Sequence, residues 1–329
     1  MIMRAPMSSS LMALALLFLP IVAGAQDASA PQPVTASLAF KFSGYTQIVA
    51  TAQDECADGF TIRRSRFTLA AALVKNINFK ATVDVVKAPA LYDAMVEITV
   101  HETASFRVGQ FKIPFSLEMS TSSADIDTID RSQAVNKLSP GLDIGSSGRD
   151  IGAVVFGKAA FLEYTLGVFN GAGINKADTN DSKDLSGRLI VRPLGFLSLG
   201  ASFYDGSYAA SAGAASIVRD RVGMDLALLH GPLTIKADFI SAEDGSIMRR
   251  GWYVQAGYAF LPKILQGILK ADSYDADTSM SGDRRDCWTA GLNWFLAART
   301  KLMVNFALTR NESGQTVNKA VLIQFQGGF

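Results

Sequence analysis

Alternation of apolar and polar residues constrains this chain more than any other feature. From Ile77 to Val85 the odd positions are Ile77, Phe79, Ala81, Val83 and Val85, and the even ones are Asn78, Lys80, Thr82 and Asp84. Tyr92, Ala94, Val96, Ile98 and Val100 alternate with Asp93, Met95, Glu97, Thr99 and His101. Leu302, Val304, Phe306 and Leu308 alternate with Met303, Asn305 and Ala307. A period of two places each set on one face of a β-strand. Sixteen segments carry the pattern, at about 38–50, 60–74, 77–87, 92–101, 104–114, 149–158, 160–171, 186–194, 196–206, 217–229, 233–242, 251–260, 264–275, 285–297, 300–310 and 319–329.

The connectors alternate in length. One series is tight: Lys75-Asn76, Glu102-Thr103, Ala159, Gly195, His230-Gly231-Pro232, Leu261-Pro262-Lys263 and Ala298-Arg299. The other is longer, at 51–59, 115–148, 172–185, 207–216, 243–250, 276–284 and 311–318, with 88–91 as its short exception. Short turns at one end and long loops at the other are the arrangement of a bacterial outer-membrane barrel. The expected fold is all-β, a transmembrane antiparallel β-barrel of about 16 strands over residues 38–329.

The beginning of the chain agrees with that destination. Arg4, the apolar run Leu11 to Ala23 and the small-x-small site Ala23-Gly24-Ala25 read as a secretory signal peptide over 1–25, followed by a short N-terminal segment, 26–37. The apolar run is shorter than the about 20 residues of a spanning helix. No later stretch is apolar for 18 residues, yet 49% of the chain is hydrophobic. Without Arg4 the chain carries 30 basic and 30 acidic residues. It therefore lacks the basic field that nucleic acid requires.

In a membrane barrel the apolar faces meet lipid and the polar faces meet the lumen. Trp252, Val254, Ala256, Tyr258 and Phe260 share one face, and Trp288, Ala290, Leu292 and Trp294 share another. Six residues of a tilted strand span roughly 15 Å of depth, which sets these aromatics towards the two edges of the apolar band. Val321, Ile323, Phe325 and the terminal Phe329 share one parity, as the closing strand of a barrel should.

The second strand, GFTIRRSRFTLAAALV, packs Arg63, Arg64 and Arg66 beside a greasy half. Phe67, Leu69, Ala71 and Leu73 have lipid parity, while Arg64 and Arg66 have lumen parity. Arg63 shares the lipid parity and is expected near the outer rim, hydrated there. Facing lipid at mid-depth costs about 2–4 kcal/mol per Arg, whereas a wet lumen costs little. The same rule turns Lys41, Lys80, Arg107, Arg188, Arg192, Arg219, Arg221, Lys236, Lys270 and Lys301 inward, against Asp84, Asp93, Glu97, Glu163, Asp225, Asp238 and Asp272. The lumen is thus modestly positive, and charges at membrane depth are functional by default. The poor alternation around Arg107 suggests a bulge at Gly109.

The long third loop, 115–148, is expected to be structureless and to fold inward as a constriction. Glu118, Asp125, Asp127, Asp130 and Asp143 outnumber Arg131 and Lys137 along it. An acidic loop opposite basic walls would set up a transverse field across the opening.

Several blocks carry a family resemblance: IRRSRFTLAAAL, LYDAMVEI, RVGQFKIPFSLEMSTSSADIDTIDRS, SGRDIGAVVFGK and LGVFNGAG, in that order over about 60–172. The chain resembles the phosphate-selective porin O and P family. The resemblance implies a sixteen-stranded, homotrimeric channel in the outer membrane of a Gram-negative bacterium, with arginines and lysines that bind phosphate. Arg63, Arg64 and Arg66 match its arginine segment, and Lys112 and Arg131 match motif positions. Asp130 stands where a glutamate is usual, and only Lys137 lies further along the loop, so the family's lysine cluster is not evident.

The function expected is passive diffusion of small hydrophilic solutes through a water-filled channel, with an anion bias and phosphate among the candidates. Outer-membrane lipids would surround it. No motif calls for a cofactor or a metal, and no catalytic constellation stands out. The rival readings are a plugged structural or adhesive barrel and an outer-membrane barrel enzyme. The latter would need a Ser/His pair that His101 and His230 do not suit. Cys56 and Cys287 are too few for a disulfide framework, and their pairing stays open.

Overall fold

Alternation along each segment becomes a ladder between segments. The computed structural model describes residues 39–54, 57–209, 211 and 213–329. The expected signal peptide, the segment 26–37 and Cys56 lie outside the described residues. The strands are β1 (Ala39–Gln53), β2 (Gly59–Val74), β3 (Ile77–Asp84), β4 (Leu91–His101), β5 (Ala104–Lys112), β6 (Arg149–Ala159), β7 (Leu162–Phe169), β8 (Asp184–Leu194) and β9 (Leu197–Asp205). A two-residue piece, β10 (Ser207–Tyr208), pairs with β11 (Ile217–His230). Then come β12 (Leu233–Asp244), β13 (Ile247–Leu261), β14 (Leu265–Asp275), β15 (Arg285–Ala297), β16 (Thr300–Asn311) and β17 (Thr316–Gly328).

Every long strand pairs antiparallel with its neighbours in sequence. β9 pairs directly with β11, and β17 pairs back onto β1 with Ile48 opposite Phe325. The result is a closed ring of sixteen long strands, which leaves no edge for another chain to extend. The connector expected at 243–250 is instead a two-residue turn, Gly245-Ser246, because β12 and β13 stay paired up to Asp244 and Ile247.

Burial is inverted relative to a soluble protein. Trp252, Trp288, Trp294, Phe306, Ile323 and Phe325 point outward and are exposed. Their neighbours Gln255, Asn293, Asn305 and Gln324 point inward and are buried.

Among the irregularities of the ladders, two turn residues to a face that parity does not assign. Gln47 on β1 pairs with Arg64, but Ile48 pairs with Ile62, which leaves Arg63 as the extra residue. Thr82 on β3 pairs with Asp93, but Val83 pairs with Leu91, which leaves Tyr92 extra. A bulge puts two consecutive side chains on one face. Arg63 therefore does not face the rim as expected. It turns inward and forms an ion pair with Asp130. Tyr92 likewise leaves the lipid face and is 3% exposed. No bulge forms at Gly109, whose ladder to Met95 and Gly152 is regular. Its φ of 126° is instead what lets β5 run so close to the Ala94 carbonyl.

The segment between β5 and β6 is not structureless. It holds α1 (Leu117–Ser120), capped by Ser116, and α2 (Gln133–Leu138), capped by Ser132. Both hydroxyls accept from the main-chain N–H three residues on, at 3.2 Å. Phe115, Met119, Val135 and Leu138 pack with Ile240, Ala242 and Tyr253 of the wall. Ile129 packs with Val49, Met303 and Leu322. An apolar core therefore exists, and it lies between this segment and the inner wall.

Candidate functional site in the barrel interior

Most of the wall contacts of residues 113–148 run to one side of the ring. Asp238 on β12 accepts from the main-chain N–H groups of Leu117 and Glu118, both at 3.0 Å. Lys301 on β16 donates to the Ile126 carbonyl at 2.9 Å, and Lys270 on β14 donates to the Asp130 carbonyl at 2.9 Å. Asn305 on β16 accepts from the Ile129 N–H at 2.7 Å. Arg221 on β11 donates to the Leu138 carbonyl at 2.9 Å, and Arg188 on β8 donates to that of Ser116. Main-chain groups that would be orphaned inside a barrel are thus satisfied by wall side chains.

Charge pairs reinforce the grip. Asp127 accepts from Lys236 at 2.6 Å and from Gln255 at 2.8 Å. Asp143 bridges Arg219 at 2.6 Å and Arg221 at 2.8 Å. Glu118 accepts from the N–H and hydroxyl of Ser132, both at 2.9 Å, and lies 3.8 Å from Lys270. The transverse field expected from an acidic loop is therefore not what these acids build. They neutralise the very wall the loop lies against, at contact distance, where opposite charges cancel rather than face each other across water.

The other side stays open. A cavity of about 930 Å3 lies between strands β1–β8 and residues 112–123. Lys41, Arg66, Lys80, Arg107, Lys112, Arg149 and Arg188 line it, against only Asp93 and Glu97. The loop presents Ser120, Thr121, Ser122 and Ser123 to it rather than carboxylates.

Carboxylates behind the wall cations fix their directions. Arg66 Nε donates to Asp84 Oδ2 at 2.9 Å, Arg149 Nε to Asp93 Oδ1 at 2.7 Å, and Arg107 Nε to Glu97 Oε1 at 2.7 Å. Arg188 Nη2 donates to Asp225 Oδ1 at 2.8 Å. Lys112 and Arg131 are held differently. Both donate to the Thr121 carbonyl, at 2.8 and 2.9 Å, and Lys112 also donates to that of Met119 at 2.7 Å. They occupy the carbonyl end of α1, where cations are favoured. Among the described residues neither forms a salt bridge; Lys112 lines the cavity, whereas Arg131 borders a neighbouring hollow with Gln133, Lys270 and Asp272. Burial is the main influence on Arg131 and lowers its pKa from the usual guanidinium value, with Arg66 and Arg149 adding to the effect and Glu118 opposing it.

Of the residues singled out from sequence, Lys41, Arg66, Lys80 and Arg107 come together along this cavity. Arg64 is half-buried beside it and donates to Gln47 at 2.8 Å. Arg219, Arg221 and Lys236 face inward too, but they are spent on the loop. Asp125 and Lys137 are exposed. Arg149 and Tyr92 were missed. Arg149 follows the loop at the very start of β6, where parity has no preceding residues to establish it. Tyr92 was hidden by its bulge. The two histidines sit beside turns. His101 contacts Thr103 at 2.9 Å, and His230 packs on Phe196 with centroids 5.2 Å apart.

Comparison with known proteins agrees with this architecture. The sequence model of the phosphate-selective porin O and P family matches residues 40–228. No curated protein sequence matches the chain. Among solved structures, OmpT, an outer membrane protein of Vibrio cholerae, is similar at 11% identity and a TM-score of 0.64, covering 91% of this chain and 100% of its own. The outer membrane channel DcaP of Acinetobacter baumannii has 14% identity and a TM-score of 0.64, covering 92% and 100%. Salmonella typhi OmpF, in complex with daunomycin, has 9% identity and a TM-score of 0.64, covering 88% and 97%. At these identities the likeness is one of fold.

Proposed function

The chain belongs to the phosphate-selective porin O and P family and is an outer-membrane channel of a Gram-negative bacterium; from that premise we propose that it conducts small hydrophilic solutes by passive diffusion and favours anions. The observation that carries the reading is the asymmetry of the interior. Glu118, Asp127 and Asp143 of the loop are neutralised against β11–β14, while the open cavity is lined by seven cations and two carboxylates. An excess of fixed positive charge along a narrow wet path concentrates anions and repels cations.

Residues 115–148 set the size limit by filling the far half of the ring. Arg131 holds Thr121 and Ser123 from behind, and Lys112, which forms no salt bridge among the described residues, lines the cavity beside Ser120 to Ser123. That position supports oxyanions, phosphate included, as preferred solutes, because N–H donors grip them better than halides. The assembly is a homotrimer on this reading. One of the structures similar in fold is described as a trimer form, that of Vibrio cholerae OmpT, at 13% identity.

The test is the reversal potential of single channels in planar bilayers under a KCl gradient. The expected sign is that of chloride. A potassium-type reversal would overturn the anion preference, and an absence of current steps would favour the plugged barrel. Adding inorganic phosphate should lower the chloride current. An unchanged current would remove phosphate from the solutes that linger.

A further inference from the structure

We propose that Tyr92 is a positioning residue for ion selectivity: its ring seats two guanidinium groups, those of Arg66 and Arg149, that line the open cavity. The proposal rests on the anion reading above.

Sequence parity assigns Tyr92 to lipid. The bulge on β4 overrides that and turns it, together with Asp93, to the interior. Bulges that re-aim a side chain are found beside functional sites. The Arg66 guanidinium carbon lies 4.4 Å from the ring centroid, and that of Arg149 lies 4.7 Å from the same centroid. Two like charges are therefore held no farther apart than the sum of those distances.

Asp84 and Asp93 hold the two groups at Nε, and Coulomb repulsion alone would rotate their free ends apart about those bonds. The negative face of an aromatic ring attracts both and offsets the repulsion. The stack is also tied to the loop at two places. Tyr92 Oη accepts from Ser147 Oγ at 3.0 Å, and Arg149 Nη1 donates to the Ser147 carbonyl at 3.0 Å. Arg66 Nη1 reaches Ser123 Oγ at 3.3 Å and Tyr45 Oη at 3.2 Å. The other charged groups around the stack are Lys80, which lies 3.7 Å from Asp93, together with Lys112 and Arg131 on the loop side.

Without the ring's electrons the two guanidinium groups, each still tied through Nε to Asp84 or Asp93, would swing apart about those bonds and leave the cavity face. The channel would keep its charge count but lose the placement of that charge. Selectivity should then fall while the barrel stays intact.

The experiment compares the full-length wild type with Tyr92→Phe, Tyr92→Leu and a protein carrying pentafluorophenylalanine at position 92. Each is reconstituted in planar bilayers under a KCl gradient. Folding is checked by heat-modifiable migration. Tyr92→Phe keeps the ring and should keep the wild-type anion-to-cation permeability ratio. Tyr92→Leu should lower that ratio about fivefold, the factor that one cation–π contact of ordinary strength supplies. The fluorinated ring keeps the shape and removes the negative face. It should lower the ratio as Leu does, even if the Leu variant fails to fold.

A ratio unchanged in the fluorinated protein overturns the proposal. So does a fall in Tyr92→Phe as large as that in Tyr92→Leu, which would place the effect in the Ser147 bond. A wild type with potassium-type reversal fails the anion reading itself, and is read from the parent protein before any variant.

Discussion

Arg66 and Asp84 stand opposite each other in register on β2 and β3, 2.9 Å apart, with Asp84 completely buried. Asp84 Oδ1 also accepts from the Ser65 N–H at 3.1 Å. Removing one partner of such a pair leaves a buried charge uncompensated, which is costly. Asp84→Ala should destabilise the folded barrel by about 3–5 kcal/mol. Denaturant titration of the reconstituted protein reads this directly. A change under 1 kcal/mol would mean that water reaches Arg66 freely.

A second expectation concerns the far end of the loop. Asp143 serves two arginines at once, and Arg219 and Arg221 are 4% and 2% exposed. Asp143→Ala should cost about 3–5 kcal/mol, for the same reason as above. It should also free residues 139–146 from the wall. Single-channel records should show added flicker, and proteolysis from the outer side should cut there. Quiet current and an uncut loop would shift the anchoring role to Arg221 and the Leu138 carbonyl alone.

Inside and outside can be tested with one added charge. Phe306 is 47% exposed and faces outward at mid-strand. Phe306→Lys should cost about 2–4 kcal/mol in a bilayer. Thr68→Lys, which adds the same charge to the cavity wall, should leave stability nearly unchanged and raise anion preference. Equal stability losses would contradict the assignment of faces.

Gly109 admits no side chain. A Cβ there would collide with the Ala94 carbonyl oxygen, and φ is 126°. Gly109→Ala should sharply reduce the folded fraction in vitro, by well over the about 1–2 kcal/mol of a strained backbone angle alone. Wild-type folding yield would show that β4 and β5 can separate at little cost.

Much of the barrel was legible in the sequence, because a period of two with turn residues between runs is a local signal. Leu302 to Leu308 and Trp288 to Trp294 lie on the faces their parity assigns. What escaped was information held between strands. Arg63 and Tyr92 change face because each is an extra residue with no opposite number on the partner strand, and nothing in IRRSR or LYDAM alone records that. Pairing across the lumen escaped for the same reason. The acids of 115–148 read as a field while they were counted. They became clamps once Lys236, Lys270, Arg219 and Arg221 were seen within reach of them. The loop's helices were also missed, since four and six residues are too few to display a helical period.

The loop's lopsided attachment divides the labour of the wall. Apart from the ties of Arg63 to Asp130 and of Arg149 to Ser147, a substitution on β11–β16 alters how firmly the loop is moored, and one on the cavity face of β2–β6 alters what travels past it. Evolution, or a designer, can therefore retune traffic along one arc of the cylinder without loosening the mooring on the other.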